Sequence, residues 1–391
     1  MIMPDYGPQI TNNALLDRLY KQKTWLTTRI QYRILDLFGR LPAALNIDRI
    51  FAQISRKLVG GYLYSIKLEV NTACTLRCKM CYISNASREL PLHVIKKILD
   101  RIRSYNIRLE ILGGEPLQRN DIIEIITYAK HRSKIPFVSL YTNGLFADRK
   151  MARNLNDAGL DAAIVTLISH KAEIHDAFTG QVGSWARTVE NIGLLSQAGV
   201  PVYTFTAIHR ENYRDYKEIY AFVKHSLKTN ALFYQYVPQK QNDPLMISPE
   251  AWHEIKHWIL LEKNKVHTAF ISKFYMLTGN ACSGGNFVFT IKADGSVQPC
   301  PFISDLSLGN IYERDIWDIV KNRFSHQHLI KFKEVPLECQ ACSHKSVCGG
   351  GCRAGNNLLF GDYAHKDHRC LGPYNRKIER ETLVDCIPSF F

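Results

Sequence analysis

No apolar run in this chain reaches the ~18 residues that a membrane-crossing helix needs. The opening stretch, Met1 to Thr11, lacks a basic n-region and an apolar h-region, so no secretory signal is expected. Internal repeats and low-complexity tracts are also missing. No base-reading motif occurs, and the basic residues behind the net charge of +14 are dispersed, which argues for solvated faces and no nucleic-acid partner. Such a surface still attracts an acidic peptide, a phosphorylated substrate or an anionic membrane. The cysteines number 11. An odd count without an export signal fits metal ligands in a reducing cytoplasm better than a disulfide framework.

Of 391 residues, 46% are hydrophobic and 22% charged, enough to build one large domain or two moderate ones around a substantial core. Residues 1–60 read as a helical N-terminal extension. Leu26, Ile30, Ile34 and Phe38 recur at helical spacing, Pro42 breaks the pattern, and Ile47, Ile50, Phe51 and Ile54 resume it. Arg29, Arg33 and Arg40 decorate the first helix. A basic amphipathic helix can make peripheral membrane contact or simply pack on the domain that follows, and both readings stand.

After Gly60-Gly61, Tyr64, Ile66, Leu68 and Val70 alternate with Ser65, Lys67 and Glu69, a strand signature. Further strand-like runs at 107–112, 137–142, 162–167, 200–207 and 232–237 are separated by helical patterns such as 91–104 and 121–133. The class is therefore α/β. The expected architecture over 61–245 is an open, partial (β/α)6 barrel of parallel strands, with ligands at the carboxyl ends of the strands. Residues 246–391 form a second, cysteine-rich region that opens with a bridging helix at 250–261. There Asp294-Gly295, between the apolar run 287–290 and Val297, signals a hairpin.

Three motifs fall at strand ends. Cys74, Cys78 and Cys81 follow the first strand with CxxxCxxC spacing. Three such thiolates can hold three irons of a cubane cluster and leave the fourth open, as a catalytic site needs. Unrelated buried cysteines or a zinc site are the alternatives. Gly113-Gly114-Glu115-Pro116 follows the second strand, where glycines allow a tight turn and a close approach to a ligand. Tyr141-Thr142-Asn143-Gly144 ends the third. Farther on, Cys282 and Cys300 flank Gly295, and Cys339, Cys342, Cys348, Cys352 and Cys370 follow. Paired cysteines of this kind also make zinc ribbons.

The cysteine loop, the GGEP turn and the TNG strand end together resemble the radical S-adenosylmethionine (radical SAM) superfamily. The seven later cysteines resemble its SPASM extension, and the combined pattern spans residues 63–375. The resemblance implies a radical SAM barrel, a SPASM domain and a core 4Fe-4S cluster on Cys74, Cys78 and Cys81 whose open iron chelates SAM. It implies that Gly113, Gly114 and Glu115 hold the methionyl amine and that Tyr82 contacts adenine. Thr142 and Asn143 become SAM-contact candidates. Thr166 keeps a hydroxyl where many relatives read Ser-Leu-Asp-Gly, but this chain continues Leu167-Ile168-Ser169 and lacks the acid. Thr179 stands where arginine is frequent.

One or two auxiliary 4Fe-4S clusters are implied. Cys339, Cys342, Cys348 and Cys370 would ligate the outer one, and Cys282, Cys300 and Cys352 the inner one. The inner set is one thiolate short, so either an iron is open or Cys386 closes it. Pro301 replaces the aspartate that sulfatase maturases carry after the cysteine matched by Cys300, which argues against that activity. The implied enzyme is an oxygen-sensitive oxidoreductase. It cleaves SAM reductively to a 5′-deoxyadenosyl radical and abstracts hydrogen from a substrate carbon. Its partners would be a reductant protein such as a flavodoxin or ferredoxin and a peptide or small-molecule substrate, most readily a ribosomal peptide or a cofactor precursor. A porphyrin-like or lipid substrate at a membrane surface is the second reading, and a non-catalytic iron–sulfur or zinc partner-binding protein is the third. Asp176, His170 and His175 are candidate substrate bases.

Overall fold

The computed structural model describes residues 65–83, 87–103, 107–261, 282, 284–285, 288–321, 326–342 and 345–372. The expected N-terminal helices and Cys386 lie outside these residues.

Six strands lie side by side, each parallel to the last: β1 (Ser65–Glu69), β2 (Arg108–Leu112), β3 (Phe137–Thr142), β4 (Ala162–Thr166), β5 (Val202–Ile208) and β6 (Asn230–Gln235). The crossovers are α1 (Leu92–Ile102), α2 (Ile122–Thr127), α3 (Arg149–Asp157), the pair α4 (Ala172–Thr179) and α5 (Ser184–Gln197), and α6 (Tyr216–Ala221). This is the parallel β/α array that the alternation predicts. β3 coincides with its apolar run. β6 starts two residues before its run, because Asn230 and Ala231 pair with Tyr203 and Thr204 of β5. Strand pairing outweighs the weak β-propensity of those two residues.

After α7 (Pro249–Leu261), the sheet continues into the cysteine-rich region. There β7 (Val288–Ile291) adds parallel to the free edge of β1, and β8 (Ser296–Gln298) and β9 (Gly309–Asn310) add antiparallel. The loop Lys292-Ala293-Asp294-Gly295 makes the predicted hairpin. Short helices α8 (Ile316–Lys321), α9 (Gln327–Lys333), α10 (Lys345–Cys348) and α11 (Arg353–Phe360) complete the described chain. One apolar core serves both parts: Ile66, Leu68 and Val70 share it with Ile125, Val138, Trp317, Leu329 and Phe332. Each such side chain contributes roughly 1.5–3 kcal/mol by leaving water.

The alternating polar residues of β1 do not face solvent. Ser65, Lys67 and Glu69 are buried or nearly so and turn to the inner side of the sheet. There Glu110 on β2 pairs with Lys67 and accepts from Ser65 Oγ (2.5 Å) and Tyr141 Oη (3.3 Å). Burial pushes the Glu110 carboxyl up, but the Lys67 ammonium, the Ser65 hydroxyl and Arg108 together more than offset this and hold it below its usual value. Glu69 likewise pairs with Lys292, at 2.5 Å, from beyond β7.

Candidate active site

The turns at the carboxyl ends of β1, β2 and β3 are bound to one another. Backbone pairing continues past the strands: Val70 N donates to Leu112 O, Gly114 N to Asn71 O (2.8 Å) and Glu115 N to Ala73 O (2.7 Å). A β-carbon on Gly114 would stand 2.3 Å from Ala73 O, and one on Gly113 would stand 2.4 Å from Asn71 Oδ1. Only glycine permits this approach. The cysteine loop is pinned from its other side by α4, where Arg77 N donates to Thr179 O (2.9 Å) and Lys79 N to Phe178 O (3.0 Å).

Glu115 is wholly buried and ties two strand ends together. Its carboxylate accepts from Leu117 N (2.9 Å), Thr142 Oγ1 (2.7 Å) and Asn143 N (2.7 Å). Burial raises its pKa to about 7 against the lowering effect of these three donors. Asn143 Nδ2 in turn reaches Cys74 Sγ at 3.8 Å. Secondary contacts of this kind orient metal ligands.

A cavity of about 240 Å³ opens above these turns. It is lined by Cys74, Cys78, Cys81, Tyr82, Gly113, Gly114, Thr142, Asn143 and Thr166, and also by Cys282, Cys300 and Cys352. Of the expected cluster ligands and SAM contacts in the barrel, Glu115 alone stands outside the lining. Cys339, Cys342, Cys348 and Cys370 lie in a separate group.

All ten cysteines among the described residues are free. They fall into three sets. Burial raises the pKa of Cys74, and that of Cys78 to about 12; Cys81 raises both further. Burial raises Cys300, with Cys282 and Cys352 adding to it. Burial also raises Cys339 to about 12, with Cys348, Cys370 and Cys342 adding to it. Thiols packed this way hold their protons until a cation replaces them. Among the described residues, no three His, Cys, Asp or Glu side chains converge as ligands of a single metal ion. The donor chemistry of the three sets, thiols alone, fits iron–sulfur clusters.

The two C-terminal sets share a frame. Gly349, Gly350 and Gly351 run at φ +64°, +98° and +78° between Cys348 and Cys352. A β-carbon on Gly351 would meet Asp367 Oδ2 at 2.0 Å. That carboxylate accepts from Cys352 N (2.6 Å) and pairs with Arg369 (2.7 Å), both ionic groups being buried. Cys352 Sγ accepts from Gly355 N at the start of α11 (3.2 Å), and Cys370 Sγ accepts from Gly372 N (3.3 Å).

The candidate bases separate. Asp176 caps α5, accepting from Gly183 N (2.6 Å), Trp185 N (2.8 Å) and Ser184 Oγ (2.9 Å). Burial pushes its carboxyl up, but those bonds outweigh it and keep Asp176 ionised in a structural role. His170 is not in the cavity wall. His175 is; its Nδ1 accepts from Ile168 N (3.2 Å), and burial lowers its pKa to about 4, so it faces the cavity as a neutral imidazole.

Several residues in or beside the wall were not among the candidates read from the sequence. Lys67, Tyr141, Phe205 and Tyr234 come from the inner faces of β1, β3, β5 and β6, with the Phe205 and Tyr234 rings stacked at 3.9 Å. Lys292 and Phe302 come from the C-terminal region and flank Tyr82, the ammonium 4.7 Å above its ring and the phenyl 4.9 Å away. For the strand residues the available signal was the alternation of charged or aromatic side chains along the parallel strands; Lys292 and Phe302, in loops, gave none.

Comparison with known proteins agrees with this geometry. The Radical SAM superfamily description matches residues 68–223, and an iron–sulfur cluster-binding domain, SPASM, matches residues 282–343. An AdoMet-dependent heme synthase from Methanosarcina barkeri is 26% identical over 337 residues, covering 78% of this chain and 95% of the relative. A PqqA peptide cyclase from Gluconobacter oxydans is 24% identical over 340 residues, covering 81% and 93%. The structure of SuiB from Streptococcus suis bound to S-adenosylmethionine superposes with a TM-score of 0.65 at 16% identity, covering 80% of this chain and 78% of that one. This likeness concerns the fold.

Proposed function

Because this chain belongs to the radical SAM superfamily and carries its SPASM region, we propose that it is a radical SAM maturase acting on a ribosomal peptide or a cofactor precursor. The reading rests on one observation: one cavity is lined both by Cys74, Cys78 and Cys81 and by Cys282, Cys300 and Cys352. A substrate there would have both cysteine sets within the same cavity wall.

Cys74, Cys78 and Cys81 would hold the core cluster. When bound, the reduced cluster and SAM supply methionine and a 5′-deoxyadenosyl radical that removes a hydrogen atom from a substrate carbon. The residues of this chain position and shield. The backbone of Gly113 and Gly114 leaves room for the methionyl group, and Thr142, Asn143 and Thr166 offer polar atoms at successive strand ends. Glu115 acts by fixing Thr142 and Asn143. Tyr82, held between Lys292 and Phe302, offers a ring face for adenine. Tyr141, Phe205, Tyr234 and Phe302 exclude water from the reacting carbon.

Cys282, Cys300 and Cys352 would hold an inner auxiliary cluster, and Cys339, Cys342, Cys348 and Cys370 an outer one. A flavodoxin- or ferredoxin-like protein would supply electrons, and the free thiols favour a reducing cytoplasm. In this reading the catalytic unit runs over 61–245 and the auxiliary unit over 246–391, with 1–60 as an extension. The aromatic wall and the heme synthase relative favour a second reading, in which the substrate is porphyrin-like.

Anaerobically reconstituted protein, given reductant and SAM, is expected to form 5′-deoxyadenosine faster with a host peptide fraction. Stimulation by porphyrins alone would favour the second reading. Protein with a full iron complement that forms none under any condition would overturn the enzymatic assignment.

A further inference from the structure

The inner set of cysteines offers three thiolates, and neither Gly284 nor Gly285 beside Cys282 can add a fourth. A histidine stands next to this set without any task. The His368 side chain is only 10% exposed, and both ring nitrogens are buried with no hydrogen-bond partner among the described residues. Leaving an imidazole so placed costs its full desolvation, and native structures rarely do this without a reason.

Its position supplies the reason. A β-carbon on Gly355 would lie 3.4 Å from Cys352 Sγ and 3.3 Å from His368 Cε1, so sulfur and ring flank the same small space at the start of α11. His368 Nδ1 faces the Asp367 carboxylate at 3.7 Å. Metal-bound histidines characteristically direct their second nitrogen to a carboxylate, which orients the ring and makes the first nitrogen a better donor. Asp367 is itself fixed by Arg369 and by Cys352 N, so the carboxylate facing His368 is tied directly to the cysteine.

We propose that His368, through Nε2, is the fourth protein ligand of the inner auxiliary cluster, beside Cys282, Cys300 and Cys352. Histidine replaces cysteine at some iron–sulfur centres and raises their potential. The inner cluster would then be closed to direct substrate binding and suited to electron transfer. The inference rests on the proposed inner cluster and goes one step beyond it.

The test uses the full chain with Cys74, Cys78 and Cys81 each changed to Ala, so that iron binds only in the C-terminal region. The protein is grown with histidine labelled with heavy nitrogen, reconstituted anaerobically and studied by pulsed EPR and Mössbauer spectroscopy. A strong histidine-nitrogen coupling is expected, which His368→Ala abolishes while Cys386→Ala leaves it unchanged. His368→Cys, which can ligate as a thiolate, should keep the iron and lose the coupling. In Mössbauer spectra, one iron subsite should change in His368→Ala. Auxiliary iron with no histidine coupling, or spectra identical in wild type and His368→Ala, would overturn this ligand while leaving the clusters in place. Absence of any auxiliary iron would overturn both.

Discussion

The cysteines of this chain sit in two frames of different strength. Around Cys74, Cys78 and Cys81 the frame is the parallel sheet itself, with β1, β2 and β3 extended by backbone hydrogen bonds and clamped by Glu115. Around Cys339, Cys342, Cys348 and Cys370 the elements are single turns or short helices. There, a run of three left-handed glycines and the buried Asp367–Arg369 pair hold the chain. The first frame draws on the sheet and its apolar core. The second, over the described residues from Leu337 on, buries only Cys339, Cys342, Cys352 and Ala354 among its apolar side chains, so its order is expected to depend on what its thiols bind, as in small metal domains.

Removing iron should therefore separate the two. After anaerobic chelation, hydrogen exchange is expected to lose protection across residues 337–342 and 345–372 while strands β1 to β6 keep theirs. Equal loss in both regions would break the comparison.

Single glycines sharpen it. Gly114→Ala drives a methyl into Ala73 O, and Gly351→Ala drives one into Asp367 at a positive φ. Gly114→Ala should cost about 1–3 kcal/mol through overpacking, and Gly351→Ala about 2–4 kcal/mol because backbone strain adds to it. The consequences should differ: Gly114→Ala loses SAM cleavage and keeps auxiliary iron, whereas Gly351→Ala loses auxiliary iron and keeps the core cluster. Iron counts and EPR of the two variants decide this.

The smallest effect concerns pH. Glu115 has a pKa raised from 4.5 to about 7 in the fold, so its protonated form is the better tolerated one. Its contribution to stability is full below pH 4.5 and is lost as pH rises through about 7. The shift sets an upper limit of about 3 kcal/mol. Urea unfolding of wild type and Glu115→Gln at pH 5 and pH 8 should show the wild-type advantage shrinking at the higher pH. A constant gap would mean that the three donors keep the carboxyl ionised throughout.

Much of this was legible in the chain. Alternation of apolar runs and helical patterns determined the order of strands and helices, because burying one face of each element needs that periodicity. The spacing of Cys74, Cys78 and Cys81, and the glycines of the GGEP turn, marked the site, because a backbone approach of that closeness excludes any side chain. Other features needed the fold. β7 joining the edge of β1 could not be read from a short apolar run, since strand partners are chosen by edges left open across some 220 residues. Ser65, Lys67 and Glu69 marked a strand in the sequence; that Ser65 and Lys67 meet Glu110 on the inner side of the sheet came only from strand pairing. Lys292 and Phe302 reached Tyr82, and His368 reached the space beside Cys352, only through tertiary packing. Short-range pattern determined which residues could do chemistry; long-range packing decided which of them meet, because contact between distant residues depends on a closed core.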